Sequence, residues 1–209
     1  MKKVLVLASL SLLALSFGCG GSGEKAENKE TGAAMSQAVM VATSQSGFNL
    51  IGGVASINET GSEEPIDCPL YGTITPSYAV DGTSMTVKYE ECGAGLPACP
   101  GHVFMNGTLE ESWEIDGTNY TSSIGGTIDF IDAPDSNTPD VYFVGQKCVF
   151  DISITLNYQT LVDYWLAEDY DGFIEYATSG ITGDICGYDW KELSELTDEE
   201  ICLVIENKE

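Results

Sequence analysis

The 209-residue chain carries 33 Asp and Glu, eight Lys, no Arg and a single His, for a formal charge of −25. That balance argues against nucleic acid as a partner, since binding there depends on basic side chains neutralising phosphates. It also argues against direct attraction to anionic lipid head groups, which takes clustered Lys or Arg.

The N-terminus reads as an export signal. Met1-Lys2-Lys3 is a short basic start, and residues 4–17 are then apolar, broken only by serines. This run falls short of the ~20 residues a spanning helix needs, and no later stretch approaches it, so no membrane crossing is expected in the mature chain. Ser16-Phe17-Gly18 is small-x-small, which suits ordinary cleavage and release of a secreted protein. The alternative is that Leu15-Ser16-Phe17-Gly18-Cys19 resembles a bacterial lipoprotein signal, in which the Cys is acylated and becomes the new N-terminus. It departs from the usual pattern in having Ser16 where Leu normally stands.

Cysteine parity favours the lipid. There are seven cysteines, at 19, 68, 92, 99, 148, 186 and 202. An odd count in an exported chain leaves one thiol over. With Cys19 acylated, six remain for three disulfides in an oxidising compartment. The expected organisation is a signal peptide over 1–18, a flexible acidic tether over 19–33 and one β-rich domain over 34–209. The tether is rich in Gly, Ser, Glu and Lys, a composition too polar to fold. Gly20 after the Cys resembles the default that sends lipoproteins to the outer membrane, facing either the periplasm or the surface. Removal of the signal leaves six Lys against 33 acids, a formal charge of −27. Such a charge serves solubility through self-repulsion, or supplies oxygen ligands for divalent cations.

In chain order, the first element is a helix over about 34–46, with Ala34, Ala38, Val41 and Gln45 on one face, covering part of a sheet. Phe48 to Ile57 reads as either more helix or a first strand. The pattern then changes to period two. "SMTVKYEEC" sets Met85, Val87 and Tyr89 against Thr86, Lys88 and Glu90, with Asp81-Gly82 as the preceding hairpin turn. "HVFMNGTLEESWEIDGTNY" repeats the arrangement around Asp116-Gly117, with Val103, Met105, Leu109, Trp113 and Ile115 on one side. "CVFDISITLNY" alternates Cys148, Phe150, Ile152, Ile154, Leu156 and Tyr158 with polar residues. Residues 173–188 read as one or two more strands. Thr197-Asp198-Glu199-Glu200 is a capping box ahead of a short C-terminal helix tied down through Cys202.

The fold class is therefore mainly β: a single curved antiparallel sheet, a sandwich or a half-barrel, with an N-terminal and a short C-terminal helix. Six cysteines allow 15 connectivities. Cys68 and Cys92 end the two arms of the first hairpin; Cys148 opens the clearest strand and Cys186 closes the last. These placements suggest Cys68–Cys92 and Cys148–Cys186, leaving Cys99–Cys202. A competing metal reading of Cys92, Cys99 and His102 lacks a fourth ligand.

The succession of an anchor Cys, an Ala/Ser-rich helix, "DCPLYGTIT", "VKYEEC", "MNGTLEES", "FDISITLNY" and "SGITGDICGYDW" resembles a set of uncharacterised bacterial lipoproteins over most of residues 34–190. The resemblance implies a curved antiparallel sheet with a helix against it and no established activity. Residues 132–140 and 161–172 look like insertions in that pattern.

No catalytic signature stands out: there is no GxSxG, HExxH or phosphate-cradling loop. The expectation is thus a lipid-anchored envelope protein that binds or scaffolds, not an enzyme, with an envelope protein or saccharide as partner. Two alternatives are a calcium-dependent adhesion or ligand-binding module and a carbohydrate-active enzyme using paired carboxylates. The insertions supply the candidates. Asp132, Asp135, Asn137 and Asp140 gather side-chain oxygens that suit calcium, or simply form a turn-rich acidic loop. Tyr164, Trp165 and Tyr170, with Phe173 and Tyr176, form either a contact patch on a loop or a plug at the open end of the sheet.

Overall fold

The computed structural model describes residues 25–45, 64–96, 99–135 and 138–206. Helix α1 (Lys29–Gln45) leads into eight strands: β1 (Ile66–Asp67), β2 (Tyr71–Tyr78), β3 (Ser84–Gly95), β4 (His102–Asp116), β5 (Asn119–Ile131), β6 (Lys147–Asn157), β7 (Ile181–Ile185) and β8 (Tyr188–Asp189). Helices α2 (Tyr158–Leu166) and α3 (Tyr170–Ser179) stand between β6 and β7, and α4 (Trp190–Ser194) and α5 (Asp198–Glu206) close the chain. All eight strands form one unclosed antiparallel sheet in sequence order.

Alternation fixes the two faces. In β6, Cys148, Phe150, Ile152, Ile154 and Leu156 are buried and the residues between them are not. The register extends this pattern into rows across the inner face. One row runs Met85–Glu111–Ile124–Ile152 and the next Val87–Leu109–Gly126–Phe150–Ile185. Gly126 is required where it stands: its φ is 150°, and a Cβ would lie 1.9 Å from the Thr108 carbonyl oxygen of the adjoining strand. A side chain there would force β4 and β5 apart.

Helix α1 crosses the strands rather than following them. Its N-terminal end meets β7 and β8, with Gly32 against Cys186 and the Tyr188 ring; near its C-terminal end the Thr43 hydroxyl meets the Tyr89 hydroxyl of β3 at 2.8 Å. From residue 32 to 43 the helix rises about 17 Å, close to the ~19 Å that four strand spacings occupy. Sheet on one side and α4 and α5 on the other bury Ala33, Ala34, Met35, Ala38, Val39 and Ala42. Small side chains allow both layers to approach, so the helix is more deeply enclosed than one apolar face required.

Two boundaries differ from expectation. The helix starts at Lys29, inside the region read as tether, because Asn28 caps it by accepting from the Thr31 amide at 2.8 Å. Ala26 is also docked, its amide donating to the Cys186 carbonyl at 2.9 Å, with the Lys25 ammonium over the Tyr188 ring. The second difference is at 158–179, which forms two helices where Tyr158 reads as part of a strand, 161–172 as an insertion and 173 onward as strand. Asn157 ends β6 and caps α2 by accepting from the Thr160 amide, and Asp169 caps α3 through the Gly172 amide. Smaller shifts occur at the turns. The chain between β2 and β3 spans 79–83 rather than two residues, and Gly117–Thr118 link β4 to β5. The segment from Phe48 to Ile57 lies outside the described residues.

Three disulfides join Cys68 to Cys92, Cys99 to Cys202 and Cys148 to Cys186, the pairs that strand placement suggests. A metal site built on Cys92, Cys99 and His102 is thereby ruled out, since two of its three sulfur and nitrogen donors are locked in separate bridges. All three bridges lie toward one end of the meander. The opposite end carries the turns at 79–83 and 117–118 and the α2–α3 hairpin. Among the described residues no helix is long and apolar enough to cross a membrane.

Candidate functional site

On the outer face of the sheet Lys88 and Glu90 stand beside Thr108 and Thr73, and the ladder is interrupted next to them. Strand β3 holds one residue more than either neighbour between matched positions. Glu90 and Gly93 pair with Thr73 and Tyr71 of β2, and Tyr89 and Cys92 pair with Gly107 and Met105 of β4. The extra residue is Glu91, held at φ 51°. Such a bulge bends the strand and leaves backbone groups without a ladder partner. Here the side chain of Asn106 takes over, its Oδ1 accepting from the Glu91 amide at 2.6 Å. On the other side Gly72, at φ 73°, lets β2 close on the bulge, since a Cβ there would lie 2.3 Å from the Glu90 carbonyl oxygen.

The bulge opens a groove of about 760 Å³ on the outer face, lined by Asp67, Tyr71, Thr73, Lys88, Glu90, Glu91, Asn106 and Thr108 among others. Its lining is acidic and hydroxyl-rich, with two tyrosines, of which Tyr71 is 48% exposed and Tyr89 is buried. Lys88 pairs with Glu90 at 2.7 Å along its own strand, and with Asp67 and Glu91 also in the lining the groove is net acidic. Asn106 spends its oxygen on the bulge, and its NH₂ group has no partner among the described residues. The groove thus offers carboxylate acceptors, an amide donor and a half-exposed tyrosine.

A second polar feature lies on the inner face, near the end without disulfides. Glu111 is buried between Met85 and Ile124 in the cross-strand row, and Ser122 donates to its Oε1 at 2.9 Å. Burial pushes the Glu111 carboxyl up to about 7, with the Ser122 hydrogen bond pulling the other way. Nearby, burial and then the Glu111 charge push Tyr120 up to about 12. This is one carboxyl without a second acid beside it in the row, so it is an isolated proton site.

The residues singled out from sequence fall elsewhere. Asp132 accepts from the Ala133 amide, and Asp135 accepts from both the amide and the hydroxyl of Thr138 at 3.0 Å, which is turn chemistry. The backbone at Asp140 and Tyr142 bonds to His102, laying this segment beside the start of β4. Asn137 lies outside the described residues. Among the described residues, no group of three or more His, Cys, Asp or Glu is placed to hold a metal ion.

Tyr164, Trp165 and Tyr176 are partly buried against the core and Phe173 fully so. The rings meet one another: Tyr164 with Tyr176 at 5.9 Å, and Trp165 edge-on with Tyr170 at 5.4 Å and Phe173 at 6.4 Å. These distances suit ring–ring packing. Tyr170 keeps half its surface exposed. Cys19 lies outside the described residues.

Sequence reading did not find the groove. Its one signal was the doublet Glu90-Glu91, where two polar residues in succession break the alternation of "SMTVKYEEC" and mark an inserted residue. No protein-family model, curated protein or solved structure matches the chain.

Proposed function

We propose that this is a lipid-anchored protein of the bacterial envelope that acts by binding rather than catalysis, with the outer-face groove at the Glu91 bulge as its ligand face. The groove carries the reading: a rigid sheet, interrupted at one place, gathers acceptors, a donor and an exposed ring there. Bulges re-aim side chains and terminate pairing, and they concentrate where sheets do functional work. The anchor is supported by the cysteines. The three bridges use six of seven, leaving Cys19, at the end of the signal-like segment, as the one to be acylated. Bridges of this kind also belong to an oxidising compartment outside the cytosol.

The test is site-specific photo-crosslinking in intact host cells, with the crosslinking residue at position 73 inside the groove or at position 153 on the same outer face. An adduct at 73 and none at 153 is the expected result. Equal adducts, or none at either position, would remove the groove as the ligand face.

A further inference from the structure

We infer that the groove takes a neutral saccharide, an assignment that rests on the groove being the ligand face. The volume of about 760 Å³ falls within the ~300–1,000 Å³ of small-ligand sites. Its chemistry decides among ligands. Apolar molecules are disfavoured, because apart from Tyr71 and the edge of the buried Tyr89 the lining is carboxylates, hydroxyls, an ammonium, an amide and backbone. Anions such as phosphates, sulfates and uronic acids meet Asp67, Glu90 and Glu91, with Lys88 already held by Glu90. A bound metal needs a cluster of ligands that the described residues do not form.

A neutral sugar satisfies what remains. Its hydroxyls donate to carboxylates, which are acceptors only when ionised, and its ring oxygens and hydroxyls accept from the Asn106 amide. Its C–H face packs against Tyr71, a half-exposed amphipathic aromatic that offers apolar area beside polar partners. Rigidity adds to this, since the ring and the acceptors are mounted on paired strands and little ordering is required on binding.

The measurement is binding of the detergent-extracted full-length protein to an array of neutral, acidic and amino glycans, for the wild type, Tyr71→Ala and Tyr71→Phe. Thermal melting of each variant establishes that the fold is retained. The wild type should hold neutral glycans; Tyr71→Ala should weaken that binding at least tenfold and Tyr71→Phe should keep it. Retention of no glycan, retention of acidic or amino glycans only, or neutral binding unchanged in Tyr71→Ala would each overturn the assignment. A cationic peptide is the rival occupant. A protein adduct at position 73 together with a blank array would leave the groove as ligand face and end the saccharide.

Discussion

Glu111 shows how one side chain sets a pH dependence for the whole fold. Its carboxyl is pushed from an ordinary value of 4.5 up to about 7, chiefly because burial penalises the anion. Below pH 4.5 the group is protonated in folded and unfolded chains alike and costs nothing. Between about 4.5 and 7 the unfolded chain loses this proton first, so stability falls as pH rises, and above about 7 the loss is complete. The shift corresponds to a cost on the order of 3 kcal/mol at alkaline pH. Glu111→Gln keeps an oxygen for the Ser122 hydroxyl and removes the charge. It should therefore melt higher than the wild type at pH 8 and close to it at pH 4, measured by thermal unfolding at both values. Parallel melting curves across that range would contradict this account. The side chain itself could not be read as special from sequence. Glu110-Glu111 looks like any acidic pair on a strand, and only the register places Glu111 among Met85, Leu109 and Ile124.

At the scale of elements, the α2–α3 hairpin illustrates what held and what failed in the sequence reading. Phe173 is buried, and with Trp165 and Tyr176 it packs against the core. Phe173→Ala should cost about 3–5 kcal/mol, as removal of a buried ring does, and should lower the denaturation midpoint without changing the shape of the transition. A change under about 1 kcal/mol, within the range of ordinary surface substitutions, would mean that the hairpin is dispensable. Aromatic residues suit strands as well as helices, so composition favoured loop and strand here. The informative residues were the caps. Asn157 and Asp169 each stand three residues before an amide they accept from, and each begins a helix. The same chemistry at Thr197 was legible, because Glu200 completes a reciprocal pair: the Thr197 amide donates to Glu200 Oε2 at 2.8 Å, and the Glu200 amide donates to Thr197 Oγ1. Strands β3 to β6 were readable because their alternation is regular and one face is buried. The bulge at Glu91 was not, since an inserted residue is defined by its neighbours on two other strands.

For the whole molecule, the arrangement is polarised. Three bridges constrain one end of the sheet, tying β1 to β3, β6 to the end of β7, and the β3–β4 connection to α5. Each typically contributes about 2–4 kcal/mol by restricting the unfolded chain. Asp67 and Glu91, which line the groove, stand next in sequence to Cys68 and Cys92, so the bridge ties together two of the segments that border it. Two of the three disulfide pairings were legible because antiparallel strands in sequence order bring their ends together, and Cys99–Cys202 followed by elimination. Helix α1, in contrast, was placed on the sheet but not across it. Its crossing follows from contacts at both ends, Gly32 with Cys186 and Thr43 with Tyr89, far apart in sequence from their partners.

The central claim, an acylated and disulfide-stapled envelope protein, is tested most directly by the intact mass of the native protein extracted from host membranes, with and without reduction before thiol alkylation. The account predicts a chain beginning at Cys19, heavier than its residues by acyl chains, that gains six alkyl groups after reduction and none before. A chain without acyl mass, or one that takes an alkyl group before reduction, would contradict it.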